Sequence, residues 1–379
     1  MNTRSLLIVA AAAVVLIALA FVGRERPQTL SRNDTLLLPE LEDVFNDVDE
    51  IVVTKAGDEK VATLDRGADG WSVAEKDGYP ADVGAIRQAL LAISEAKIVE
   101  TKTANPDYYD RLGLTSVDQE DSAGTAVTIR YDDKTLPTII FGDTEGTNYR
   151  YARPADDAQS LLIDRDPKLP RETSGWLRAE ILDVQGDRVQ QVTIDHADGE
   201  TVVINKEGRA QTNFSVAPIP EGRELRYPGV ANVIGNSLRS LKLEDVRRDE
   251  PDVGDVVATA EFKTFDGLVV TATGISIDDA DWLRFSAAFD TQQAVKFATE
   301  KVDDNLADAA KDDASSDDDG DDGDSAKDNA DPRDEADAIN ARVGGWLYKI
   351  ADFQYQQMTR RIEDLLKPLE KPDEDSDSQ

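Results

Sequence analysis

Residues 48–53 read VDEIVV, and residues 189–194, 141 positions further on, read VQQVTI. Val48, Ile51 and Val53 in the first stretch recur as Val189, Val192 and Ile194 in the second, apolar positions interleaved with polar ones as in a strand with one buried face. The same offset carries Glu59 to Glu200, Val61 to Val202 and Gly67 to Gly208, across the turns A-G-D-E and A-D-G-E. Those turns have the Gly/Asp chemistry of hairpins. Self-similarity of this kind decides the fold before any single element does.

The repeat extends outward from the hairpins. Tyr79-Pro80 returns as Tyr227-Pro228, each ahead of a helical pattern. In the first copy Val83, Ile86, Leu90 and Ile93 fall on one stripe behind Asp82 as N-cap; in the second, Val230, Val233, Ile234, Leu238 and Leu241 follow Gly229. One amphipathic helix per copy is expected to cover a sheet face. TAVTIRYDD with TLPTIIFGD predicts a further strand pair, and TAEFKTFDG with LVVTATG its counterpart. Tyr149-Arg150-Tyr151 then aligns with Leu283-Arg284-Phe285, and each copy closes on Gly-Trp-Leu, at Trp176 and Trp346. Tryptophans so placed read as packing anchors.

The offset rises from 134 at Arg150/Arg284 to 170 at Trp176/Trp346, so the second copy holds 170 − 134 = 36 additional residues. Residues 303–337, rich in Asp, Ala, Ser and Gly, account for them and read as a solvated acidic insertion. An EF-hand alignment with Gly320 at position 6 places Ser315, Asp317 and Asp319 well but leaves Ala326 where the bidentate Glu belongs, so a calcium loop is not expected. After the second copy, QYQQMTRRIEDLLKP predicts a helix with Phe353, Met358, Ile362 and Leu365 on its docking side. The residues from Glu370 read as an acidic tail.

Composition limits the chemistry. With 42 basic and 77 acidic residues the net charge is 42 − 77 = −35, which repels phosphate backbones and argues against nucleic acid. No Cys and a single His exclude thiol catalysis, disulfides and multi-His metal sites. His196, in DHADGE at the hairpin tip, is expected to be an exposed turn residue, and no nucleophile turn accompanies it. Neither a P-loop nor G-x-G-x-x-G nor H-E-x-x-H occurs. No catalytic, cofactor-binding or metal residue is assigned. Arg150 and Arg284, the best shared polar feature, read as members of structural ion pairs.

Residues 6–22, LLIVAAAAVVLIALAFV, form an uncharged run between Arg4 and Arg24. At 1.5 Å per residue it spans roughly 26 Å, the short end of what crosses a bilayer. Ala18 and Ala20 leave a cleaved signal peptide open as an alternative, while continuation through Phe21 and Val22 favours an uncleaved anchor.

An apolar N-terminal segment followed by two copies of hairpin, Tyr-Pro helix and further strands, each near a Gly-Trp-Leu, resembles the bacterial domain-of-unknown-function 4340 family. The resemblance covers residues 47–353. It implies a membrane-anchored extracytoplasmic protein working beside a gliding-motility-type ABC transporter, with its permease, ATPase and gliding-type subunits as partners. The expected architecture is α+β: an N-terminal transmembrane helix, then two repeated units of mainly antiparallel sheet, each packed by a helix. The expected boundaries are an anchor or uncleaved signal sequence at 1–27, a first unit at 40–184, a second at 185–353 with the insertion at 303–337, and a C-terminal helix and tail at 354–379. The expected function is that of a noncatalytic accessory or scaffold subunit without cofactors, single-pass in the inner membrane with its bulk in the periplasm. The alternatives are an anchored hydrolase working through carboxylates, or a solute- or cation-binding module.

Overall fold

The computed structural model describes residues 35–297 and 331–369, and the chain divides into two compact units, residues 1–177 and 178–379. The apolar run at 6–22, the acidic tract up to residue 330 and the tail from residue 370 lie outside the described residues. Among the described residues no helix is long and apolar enough to cross a membrane. Both units are built on antiparallel sheet with few helices, which is an α+β construction.

Unit 1 contains β1 (Val48–Lys55), β2 (Glu59–Gly67), β3 (Gly70–Val73), β4 (Tyr79–Pro80), β5 (Ile98–Thr101), β6 (Thr125–Tyr131), β7 (Lys134–Thr135), β8 (Ile139–Glu145), β9 (Tyr149–Pro154) and β10 (Leu161–Ile163), with helices α1 (Pro39–Val44) and α2 (Val83–Ser94). Its sheet runs β4-β3-β2-β1-β6-β8-β9-β10-β5, with β7 paired to β6. Helix α2 starts where Asp82 accepts the Ala85 amide at 3.0 Å and buries Ile86, Ala89, Leu90 and Ile93. Each large apolar side chain so buried contributes about 1.5–3 kcal/mol. Val83, expected on that stripe, is 52% exposed, because a first-turn residue one step past the cap has rotated off the packed face.

Unit 2 contains β11 (Glu180–Leu182), β12 (Val189–His196), β13 (Thr201–Asn205), β14 (Ser215–Ala217), β15 (Leu241–Arg248), β16 (Asp255–Thr264), β17 (Leu268–Ile277), β18 (Ala280–Phe289) and β19 (Trp346–Ile350), with helices α3 (Asn232–Gly235), α4 (Pro332–Val343), α5 (Asp352–Met358) and α6 (Ile362–Leu365). The order β14-β13-β12-β16-β17-β18-β19-β15 repeats β3-β2-β1-β6-β8-β9-β10-β5 strand for strand. The irregularities coincide as well. A bulge separates Val48 from Glu50 opposite β6, and another separates Val189 from Gln191 opposite β16, at the same offset of 141. On β5 a bulge between Ile98 and Glu100 has its counterpart on β15 between Leu243 and Asp245. There each strand is met by the segment leading into its own unit. Ile98 donates to the Thr35 carbonyl at 2.9 Å, and Leu243 donates to the Ala179 carbonyl at 2.9 Å. In unit 2 that segment continues as β11, which pairs with β15.

The register corrects several alignments. Ala126 faces Ile140 as Thr259 faces Thr273; Ile140 then faces Arg153, and Thr273 faces Arg284. Arg284 is therefore the counterpart of Arg153, not of Arg150. The irregularity between Phe141 and Thr144 adds one residue to β8, and the β8/β9 turn has one residue more than the β17/β18 turn. The first hairpin likewise carries a bulge after Val53, so Ala62 rather than Val61 matches Val202.

The tryptophans are both buried but not equivalent. Trp176 closes a 3-10 turn at Thr173–Trp176 and donates Nε1–H to the Pro170 carbonyl at 3.1 Å, whereas Trp346 opens β19. The guanidinium of Arg248 lies 3.8 Å from the centre of the Trp346 ring.

The second helix of the repeat is reduced to the single turn α3. Val230, Ile234, Leu238 and Leu241 are buried as expected, but on turns and on the start of β15. Local side-chain bonds compete with helix there: Asn236 donates to the Asn232 carbonyl at 2.8 Å and Ser237 to the Ile234 carbonyl at 2.8 Å. Helix α4 packs on β17 and β18, where Asn340 brackets the backbone of Ala287, accepting from its amide at 2.8 Å and donating to its carbonyl at 2.7 Å. Because Asp331 caps α4, residues 332–337 belong to this helix and not to a solvated insertion. The C-terminal segment is two short helices in place of one. Met358 and Leu365 are buried, while Phe353 is 62% exposed because it lies on the opposite side of its short helix from Tyr355 and Met358, which face the core.

Candidate functional site

Two surface depressions in unit 1 have the size of ligand sites. One, of about 360 Å³, lies beside β5 and is lined by Glu100, Thr101, Lys102, Thr103, Tyr108, Arg111 and Leu112. Strand β9 extends its polar wall. The Lys102 ammonium is 2.8 Å from Glu100 and 3.7 Å from Glu145, and the Tyr151 hydroxyl donates to Glu145 at 2.7 Å. The Arg111 guanidinium stacks 5.2 Å from the centre of the Tyr108 ring.

This cluster is not poised to supply a general base at neutral pH. The hydrogen bond to Glu100 raises the Lys102 pKa against the opposing effect of burial, and Glu145 adds to the rise. The hydrogen bond to Glu145, then burial, raises the Tyr151 pKa. Both groups are held as protonated donors, whereas a general base needs a pKa brought towards the working pH.

The other depression, of about 470 Å³, is lined by Leu37, Leu38, Pro39, Pro137, Ile139 and Pro154 with a rim of Glu40, Asp156 and Asp157. Its floor is core residue surface. Its ionisable groups are the three carboxylates of the rim.

His196 lies elsewhere, in unit 2, and is not the exposed tip residue expected from sequence. It is the last residue of β12, 6% exposed, because it continues the inward alternation of Val192 and Ile194, and the turn begins at Ala197. Its Nε2 has no hydrogen-bond partner among the described residues. The carboxylates beside it in sequence are otherwise engaged. Asp195 accepts from Thr201 at 2.6 Å, and Asp198 pairs with Arg361 at 2.8 Å. Arg361 also pairs with Glu200, whose second oxygen accepts the Ile362 amide at 2.8 Å, so this hairpin holds the C-terminal segment by its backbone as well as its charge. The hydrogen bond from Arg361 keeps the Asp198 carboxyl below its usual range.

The arginines singled out from sequence are both ion-paired. Arg150 lies 2.7 Å from Asp166, which is also 2.9 Å from Lys168, and Arg284 holds Asp249 through Nε at 2.5 Å and Nη2 at 2.7 Å. Arg153, which sequence reasoning passed over, is the buried one. It donates to the carbonyls of Pro154, Ala155, Asp157 and Leu114 and stacks 4.6 Å from the centre of Tyr109. Among the described residues no three His, Cys, Asp or Glu side chains come together as a metal site.

The domain of unknown function DUF4340 matches residues 71–260, half of the chain, running from β3 of unit 1 through β16 of unit 2. The chain belongs to the DUF4340 family. That span covers slightly more than one period of the strand order, beginning inside one sheet and ending inside the other. No curated protein and no solved structure matches the chain.

Proposed function

We propose that this DUF4340 chain is a noncatalytic accessory subunit of an ABC-type transport complex, anchored by residues 6–22 in the inner membrane with both units on the periplasmic side. We also read the two units as copies of one module. What carries the noncatalytic reading is the use of the repeated positions: strand order, bulges and buried apolar registers are what recur between the units. The raised pKa values of Lys102 and Tyr151 support it further, since neither is poised as a general base. Confinement to the bilayer of its partners would raise the effective concentration for contact without a high intrinsic affinity.

The test is purification of the full chain, expressed at native level, from detergent-solubilised membranes, with the co-purifying proteins identified by mass spectrometry. A transporter permease and its ATPase are the expected companions. Recovery of the chain without any transporter subunit, or rapid hydrolysis of ester, glycoside or peptide substrates by its purified body, would overturn the proposal.

A further inference from the structure

Lys206 stands apart from every other charged residue described above. It follows β13 in unit 2, its side chain is buried to 6% exposure, and its ammonium nitrogen lies 4.6 Å from the centre of the Phe214 ring. In a chain with 77 acidic residues and 42 basic ones, its Nζ has no ion pair and no hydrogen bond among the described residues. Buried lysines are rare and are normally paired, because removing an ammonium from water is costly. Nearby Asp187 acts on it only through space, and burial outweighs that carboxylate, so the amine is pulled towards its neutral form. Every other resolved shift of a lysine, arginine or carboxyl group favours its charged form.

The surroundings are rigid. The Lys206 amide donates to the Gln190 carbonyl at 2.7 Å, the Gln190 side chain donates back to the Lys206 carbonyl at 2.7 Å, and Gln293 donates to Gln190 Oε1 at 2.9 Å. The Phe214 amide donates to Asn232 at 3.0 Å, and its ring leaves no room for a Cβ at Gly235, which would fall 2.4 Å from it. An amine removed from water and without an ion pair is the arrangement that makes a lysine nucleophilic, and here burial works against both Asp187 and the Phe214 ring face, which favour the ammonium.

We propose that Lys206 is a covalent amine site for small aldehydes. Nζ attacks the carbonyl carbon, a C–N bond forms, the two protons of the neutral amine leave with the carbonyl oxygen as water, and an imine remains. No oxidant or reductant is consumed. A lysine that only packs its stem against Phe214 would instead titrate and react like a surface lysine.

Formaldehyde with cyanoborohydride, which traps the imine as methylated lysine, is applied to the folded full chain at a series of pH values. Each lysine is then followed by peptide mass spectrometry. Exposed Lys60 serves as the internal reference. Lys206 is expected to reach its plateau rate at lower pH than Lys60 and to lead it at pH 7, by about tenfold for each unit separating their pKa values. Asp187→Asn should lower the pH of that plateau further, since it removes the charge that favours the ammonium. Lys206→Arg should abolish labelling at this position alone. A pH profile superimposable on that of Lys60, or no reaction at Lys206 while Lys60 is consumed, overturns the proposal.

Discussion

Arg188 shows what a single side chain contributes in so acidic a protein. It sits 3.0 Å from Asp266 and 2.7 Å from Glu335, clamping the β16/β17 turn to α4, with all three side chains less than one-third exposed. Arg188→Ala would leave two carboxylates facing each other without their cation, at a cost of about 3 kcal/mol in unit 2, measurable as a lowered denaturant midpoint. Asp166 gives a pH signature instead. Burial raises its pKa, but hydrogen bonds from Lys168 and Arg150 outweigh burial and depress the folded value below the ordinary one. A depressed folded pKa means that stability is fully present above the unfolded carboxyl pKa of roughly 3.9 and is lost as pH falls through the folded value. Asp166→Asn should therefore flatten the acid limb of unit 1 stability below about pH 5, a change read from urea melts across pH.

Elements are fixed by close backbone contacts that substitution tests directly. At Gly142 in β8 an added Cβ would fall 2.1 Å from the Leu112 carbonyl oxygen and 2.9 Å from Leu114. Gly142→Ala should force the backbone apart and destabilise unit 1 by about 1–3 kcal/mol, seen as a lower melting temperature, while Gly146→Ala, with open space around it but positive φ, should cost less. The C-terminal helices depend on a different device, the grip of Glu200 on Arg361 and on the Ile362 amide. Glu200→Ala is expected to speed tryptic cleavage at Arg360 and Arg361 several-fold without changing the unfolding of the β12–β19 sheet, because a terminal segment opens locally before the core does.

At the scale of the whole molecule, residues 35–177 and residues 178–369 each contain a complete sheet with its own buried core. Expressed separately, both are expected to unfold in one cooperative transition by circular dichroism, since a compact domain of this size needs no partner to bury its apolar faces. A fragment that stays molten would contradict this.

Sequence alone determined the strand content, the hairpin turns, the N-cap at Asp82 and the existence of a repeat, because period-two apolar patterns and Gly/Asp turns are local signals carried by adjacent residues. It could not determine which residues of the two copies correspond. Bulges in β8 and in the first hairpin each shift the pairing by one position, and a bulge is a relation between strands that neither strand announces. Nor could it foresee that the second helix would shrink to α3 while α4 packs on β17 and β18, since propensity yields to whatever tertiary packing is on offer. Burial decided the rest. His196 was drawn inward by alternation past the point where the turn was expected, and Lys206 became unusual only because folding removed water from around it and brought no ion pair in exchange.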